Sequence, residues 1–272
     1  MTRGFTIAFH SYKGGTGKTT LISNLASLFA LEGMNVGLLD FDLYAPSLTM
    51  YFEKKPDAYV NNLLRGDLDE EKGQVNVAPM LVDMSSELKL KGKLLLAFSN
   101  PQKSEIDDIE FRHSDKWQNQ ALKRFQSAKN RLFEEYNLDY LFLDTSPGIR
   151  SWSINTLATA KMLFLVMKAS DMDIKGTKEM IKDIYNQFIR YGKSKYIILN
   201  KVPGASPIEG GCSDDKDWGI EMRELETPIV AAIPCFCDIQ FNRHEYLYAL
   251  NHPEHPFSKR IVDLSKKIRE LN

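Results

Sequence analysis

Short apolar runs rich in β-branched and aromatic residues alternate along the chain with longer stretches in which apolar residues recur at the three-to-four spacing of a helix. The runs predict seven strands, at Phe5–His10, Val36–Phe41, Val75–Pro79, Asp139–Asp144, Met162–Met167, Tyr196–Asn200 and Ile229–Ile233. Several are apolar on both faces, as strands covered from two sides must be. The longer stretches predict helices at Lys18–Glu32, Trp117–Tyr136, Ile174–Tyr191 and Ser258–Leu271, and in the third of these Ile181, Ile184, Tyr185 and Phe188 form one apolar stripe. Strand and helix in alternation imply an α/β fold: a single domain built on a doubly wound, mostly parallel sheet with helices on both faces. Two segments break the rhythm. Glu53–Ser114 is dominated by Lys, Asp, Glu and Asn outside the short run Lys93–Phe98, and is expected to supply surface helices and loops inserted between core strands. Gly204–Trp218, rich in Gly, Ser, Pro and Asp, reads as a second loop.

Composition narrows the picture only a little. With 272 residues and 43% hydrophobic content, the chain can bury a sizeable core in one domain. Lys and Arg number 35 against 36 Asp and Glu, so a net charge of −1 supplies no global field toward nucleic acid or an anionic membrane, and any such contact needs a local patch. Three cysteines are too few for a disulfide framework, and the first residues run into a strand without the basic-then-apolar layout of a leader, so a cytoplasmic location is expected. The longest apolar runs, such as Met162–Met167 and Tyr140–Leu143, fall far short of the roughly 20 residues needed to cross a bilayer.

The chemistry concentrates after the first strand. Phe5–His10 is followed by Ser11-Tyr12-Lys13-Gly14-Gly15-Thr16-Gly17-Lys18-Thr19-Thr20, and a helical pattern begins there. A strand, a Gly-rich turn and Lys-Thr opening a helix bring successive backbone N–H groups and a helix N-terminus onto one anion. In such a loop Lys18 reaches the β- and γ-phosphates of a nucleotide and the Thr19 hydroxyl binds Mg²⁺.

The general phosphate loop has glycine where this chain has Tyr12, with Lys13 following it. The form Lys-Gly-Gly-x-Gly-Lys-Thr-Thr resembles the signature-lysine loop of the ParA/MinD class of P-loop ATPases. Three further matches occur in that family's order. Asp40-Phe41-Asp42, followed by Pro46-Ser47-Leu48, resembles its first switch, and Asp144-Thr145-Ser146-Pro147-Gly148 its second, at the end of an apolar strand. Asn200-Lys201 and Ile233-Pro234 resemble its base-side elements. The resemblance covers nearly the whole chain except Glu53–Ser114. It implies an ATPase using ATP and Mg²⁺, with ATP held by Gly14, Gly15, Thr16, Gly17, Lys18, Thr19 and Thr20 and its base beside Asn200 and Pro234. Thr19 would bind Mg²⁺ directly, and Asp40 and Asp144 through water. Asp42 would position the attacking water, and Lys13 would reach across a homodimer to the partner's nucleotide. Slow hydrolysis would reset the dimer, which would position or partition a cargo through an activating partner that the sequence does not name.

Other signals leave alternatives open. Cys235-Phe236-Cys237 admits an ATP-dependent metal or iron–sulfur maturation factor, although two small buried residues would read the same way. His244, His252 and His255 lack regular ligand spacing and read as surface or capping residues. The last helix carries Lys259, Arg260, Lys266, Lys267 and Arg269 around an apolar face, which suits core packing better than membrane contact. That helix, with Lys182, Arg190, Lys193 and Lys195, leaves non-specific DNA contact open.

Overall fold

The computed structural model of the chain describes residues 4–70, 73–112, 114–186, 193–203, 225–241 and 245–272. Among these, eight strands form one sheet: β1 (Phe5–His10), β2 (Val36–Phe41), β3 (Val82–Asp83), β4 (Leu94–Ala97), β5 (Tyr140–Thr145), β6 (Met162–Met167), β7 (Ser194–Val202) and β8 (Ile229–Pro234). Their spatial order is β3-β4-β2-β5-β1-β6-β7-β8, and every pairing is parallel except the antiparallel β3–β4 edge. The helices are α1 (Lys18–Leu31), α2 (Leu48–Phe52), α3 (Val60–Arg65), α4 (Lys103–Phe111), α5 (Asp115–Glu135), α6 (Ser151–Thr159), α7 (Asp171–Met180), α8 (Cys237–Phe241), α9 (Tyr248–Asn251) and α10 (Pro256–Glu270).

The period of two along each strand divides the interior. Ile7, Phe9, Leu38 and Phe142 point to one face, where α1 and α10 cover them with Leu21, Leu25, Phe29, Ile261 and Leu264. Ala8, Leu39, Leu141 and Leu143 point to the other, beneath Phe125 and Leu132 of α5 and Trp152 of α6. A parallel sheet sandwiched in this way has no wet face, which is why its strands read as continuous apolar runs.

The predicted strand at Val75–Pro79 does not form. Val75 makes only an isolated bridge to Asp69, Ala78–Met80 is a 3-10 turn, and the sheet is extended instead by Leu94–Ala97 alongside β2. Val75 and Val77 alternate because they are buried beside α3 and α5, whereas Pro79 lacks the N–H a ladder requires. The Glu53–Ser114 segment therefore supplies a core strand as well as surface elements, and the strand count rises to eight. The predicted helix at Ile174–Tyr191 begins earlier, at Asp171, where Ser170 Oγ accepts from Asp173 N at its start. It passes into a π-turn at Ile181–Tyr185; Ile181 and Tyr185 are buried, Ile184 is half-buried, and Phe188 lies outside the described residues. Gly204–Trp218 and His244 also lie outside them. No helix among the described residues is long and apolar enough to cross a membrane.

Phe142 is fully buried between Phe9 and Phe29, with ring centroids at 6.1 and 5.4 Å. Phe142→Ala should destabilise the fold by roughly 3–5 kcal/mol, read as a lower urea midpoint at unchanged slope; a loss below about 1 kcal/mol would mean that the site collapses freely.

Candidate functional site

Between β1 and α1 the chain turns through residues 11–17. Gly15 (φ 74°) and Gly17 (φ 89°) lie in the left-handed region that favours glycine. At Gly17 space forbids a side chain as well, because a Cβ there would stand 2.4 Å from Asn200 Nδ2. The end of β7 braces the outer side of this turn: Asn200 Nδ2 donates to Thr16 O at 2.8 Å and Lys201 Nζ to Gly15 O at 3.3 Å. Gly17 leaves the start of α1 without a side-chain cap, and Lys18 is buried at its first residue. Open N–H groups at a helix N-terminus, with an ammonium beside them, form a site for an anion.

A second group of side chains meets this loop. Strands β2 and β5 are neighbours, and their register sets Asp40 directly opposite Asp144. Both carboxylates are buried. Thr19 Oγ1 donates to Asp144 Oδ2 at 2.6 Å, while Asp40 Oδ1 accepts from Asp42 N at 2.8 Å. The other oxygens, Asp40 Oδ2 and Asp144 Oδ1, are buried without a hydrogen-bond partner. Burial, and then the charges of Asp144 and Asp42, push Asp40 well above the usual carboxylate range. Burial lifts Asp144 to about 6, with Lys18 and the Thr19 hydroxyl pulling it down and Asp42 pushing it up. Two half-satisfied buried carboxylates side by side demand compensation by charge. Their hard oxygens, with the Thr19 hydroxyl, fit Mg²⁺. No three His, Cys, Asp or Glu side chains gather as a metal site among the described residues, so the rest of such an ion's shell would come from phosphate and water.

The β5–α6 loop closes over the same end. Gly148 (φ 76°) donates its N–H to Ser11 O at 2.8 Å, and Ser11 Oγ donates to Lys13 O at 2.7 Å. Lys13 Nζ lies 3.6 Å from Met172 Sδ and above the Tyr12 ring, 5.9 Å from its centroid. Asp42 Oδ1 accepts from Ala45 N at 3.1 Å and so shapes the turn after β2.

Beside the loop a cavity of about 180 Å³ opens at Gly17, Thr20 and Leu21, with Asn200, Pro234, Phe236 and Tyr246 in its walls. Tyr51 packs against Tyr246 with ring centroids 4.5 Å apart and planes tilted by 30°, and its hydroxyl lies 2.8 Å from Thr20 Oγ1. The cavity begins at Gly17 and Thr20, the residues that flank Lys18 and Thr19 in the chain, so an anion on Lys18 would stand next to its mouth. A family profile described as an AAA domain matches residues 4–195. The chain belongs to that family, with the ParA/MinD P-loop ATPases.

Solved structures share the fold of this family member over its full length. The cell division ATPase MinD of Pyrococcus furiosus superposes with a TM-score of 0.72 at 18% identity, covering 99% of this chain and 100% of that one. The septum site-determining protein MinD of Pyrococcus horikoshii OT3, solved in complex with Mg-ADP, gives 0.72 at 16% identity over 99% and 97%. In sequence, the iron-sulfur cluster carrier protein of Clostridium perfringens is 27% identical over 170 residues, 60% of this chain and 52% of its own. The chain thus spans about half the length of the curated relatives it matches.

In this member of the family, Gly14 to Thr20, Asp40, Asp42 and Asp144 surround one end of the sheet, and Asn200 and Pro234 line the cavity. Asn200 Nδ2 donates one N–H to the loop carbonyl of Thr16, which leaves its second N–H and Oδ1 for other partners. Cys235 and Cys237 are exposed, not buried. Several site residues carry no readable motif. Tyr12 fills the place of a loop glycine and packs on Gly176 of α7, where a Cβ would stand 2.1 Å from its ring. His10 is fully buried; burial, and then Lys18, push it down to about 3. Thr145 Oγ1 donates its proton to Phe9 O, so the 2.6 Å contact with His10 is an Nδ1–H donation to Thr145, tying the loop to the second switch.

The raised Asp144 gives a signed expectation. The folded chain holds this proton more tightly than the unfolded chain, so stability is lost as pH rises from the ordinary carboxylate value through about 6. Without ligand, Asp144→Asn should melt roughly 5 °C above the parent at pH 8, with the gap closing toward pH 4. A gap of the same size at both pH values would remove the buried-charge explanation.

Proposed function

We propose that the chain is a Mg²⁺-dependent ATPase, acting as one domain, in which ATP binding assembles a homodimer and slow hydrolysis resets it. The observation that carries this reading is the convergence of an uncapped helix N-terminus, Lys18 and the half-satisfied pair Asp40 and Asp144 on one spot. Lys18 and the loop N–H groups would bind the β- and γ-phosphates, and the cavity beside Thr20 the adenine. Mg²⁺, held by Thr19 with Asp40 and Asp144 through water, would neutralise charge developing between the phosphates. Asp42 stands at the same strand end on a turn that can respond to the γ-phosphate, and would orient the attacking water. Lys13 Nζ lies against Met172, which is 67% exposed. An ammonium beside an exposed apolar side chain suits a second copy of the chain, to whose nucleotide Lys13 would bring charge in trans. The dimer would then position a cytoplasmic cargo through an activating partner, with DNA favoured over a membrane as the matrix.

A second reading rests on the sequence relatives. The Clostridium perfringens and Aquifex aeolicus proteins are named iron-sulfur cluster carriers, and exposed Cys235 and Cys237 could hold a cluster between two subunits, with ATP as the switch. Iron analysis of anaerobically purified protein separates the two. Replacing both cysteines with Ser should leave ATPase activity within about threefold, as expected of residues outside phosphate chemistry; loss of stoichiometric iron together with dimerisation would establish the carrier reading.

The two lysines and Asp42 should fail differently. Lys18→Ala should abolish ATP binding in a folded protein by calorimetry, and unchanged affinity would sink the phosphate site. Lys13→Ala should bind ATP yet hydrolyse it about 10²–10⁴-fold more slowly. Asp42→Ala should lose a similar factor but accumulate as ATP-bound dimer in light scattering. A Lys13→Ala protein that hydrolyses like the parent would remove the trans-acting lysine.

A further inference from the structure

Arg150 stands at the end of the β5–α6 loop, two residues beyond Gly148, and is the N-cap of α6 with an extended backbone (φ −103°, ψ 139°). Its N–H donates to Gly148 O at 3.1 Å and its carbonyl accepts from Ile154 N at 3.0 Å, so its backbone is held on both sides. The side chain leaves this loop for the turn after β2. Its guanidinium carbon lies over the Tyr44 ring, 4.5 Å from the centroid, within reach of a cation–π attraction. A second contact is weaker: Arg150 Nη1 lies 3.7 Å from Glu110 Oε1 of α4, between side chains 53% and 46% exposed.

Tyr44 is half-buried against the core and belongs to the turn that Asp42 closes by accepting from Ala45 N. Burial lifts the Tyr44 hydroxyl above its ordinary value, while Arg150 pulls it down and Glu110 pushes it up, so both charges are felt at this side chain. The bases of the two loops are joined where Ser146 Oγ donates to Phe41 O at 3.3 Å. Arg150 adds a second tie farther out. Because Tyr44 lies between Asp42 and Ala45 in the chain, a shift of its ring carries with it the turn that sets the Asp42 carboxylate.

We propose that Arg150 is a positioning residue for hydrolysis: by holding the Tyr44 ring it keeps Asp42 where that carboxylate orients the attacking water, and so couples the two switches. This rests on the reading above in which Asp42 performs that task. Arg150 acts through Tyr44 and takes no part in phosphate binding.

The test separates rate from affinity. At saturating ATP and Mg²⁺, Arg150→Ala should lower kcat about 3–10-fold, as expected for a partly exposed cation–π contact. Calorimetry with a non-hydrolysable ATP analogue should give the affinity of the parent. Arg150→Lys, which keeps a cation, should recover part of the rate. Tyr44→Leu should lower kcat by a similar factor, and adding Arg150→Ala to it should cost nothing further. In Tyr44→Phe, which keeps the ring, the loss on Arg150→Ala should persist. Unchanged turnover in Arg150→Ala would overturn the proposal. So would an equal loss with and without the Tyr44 ring, which would place the action of Arg150 at another contact, and so would a loss of affinity along with rate, which is the mark of a supporting role in the fold. A parent that turns over no ATP, or an Asp42→Ala protein that turns it over like the parent, would instead bring down the reading on which the proposal stands.

Discussion

The rest of the site depends on a pair of carboxylates that the sheet register forces together. Asp40 and Asp144 end neighbouring strands, face each other in the ladder, and are buried with one oxygen each lacking a partner. A fold does not keep such an arrangement for stability, since replacing either charge by a neutral isostere would relieve it. The tension is resolved by what would stand beside them. The loop supplies one positive group in Lys18 and one donor in Thr19, and the remaining deficit is that of a small dication carrying phosphate. Binding free energy would thereby be linked to a charge deficit built into the fold.

The loop is held in shape by contacts from parts of the chain distant in sequence, so the site can report its state outward. Asn200 supports Thr16 from behind, Gly148 of the β5–α6 loop bonds Ser11 in front, and Tyr12 is seated on α7 at Gly176. His10 and Thr145 join the strand before the loop to the second switch. On the proposed reading, a γ-phosphate that moved either switch would act on elements already tied to the loop.

What the sequence disclosed and what it concealed divide by distance along the chain. The strand–loop–helix from Phe5 to Leu31 was legible because its signals are local: a buried apolar run, glycines at the turn and a helix opening on Lys-Thr. The carboxylates were legible because each ends an apolar strand. Val75–Pro79 was misread because alternation records burial, and burial here comes from covering the sheet, not joining it. Leu94–Ala97 was the better strand, hidden in a polar stretch whose length says nothing about pairing. Tyr246 and Tyr51 were invisible as a pair, since no local pattern shows that Asn24 Nδ2 of α1 donates to the Tyr246 carbonyl, 222 residues away. Likewise the Asn200 amide contact depends on where the loop carbonyl of Thr16 lies, 184 residues distant.

If the buried pair is the feature that nucleotide and cation relieve, their binding must displace protons from it. Calorimetry of Mg²⁺ and a non-hydrolysable ATP analogue, repeated at pH 6 in buffers of different ionisation enthalpy, counts those protons. With Asp144 near 6 and Asp40 raised beside it, binding should release about half a proton or more at pH 6, with the Asp144 share vanishing by pH 8 and absent in Asp144→Asn. Tight binding with no proton release at pH 6 would contradict the account, because the carboxylates would then be charged and satisfied before any ligand arrived.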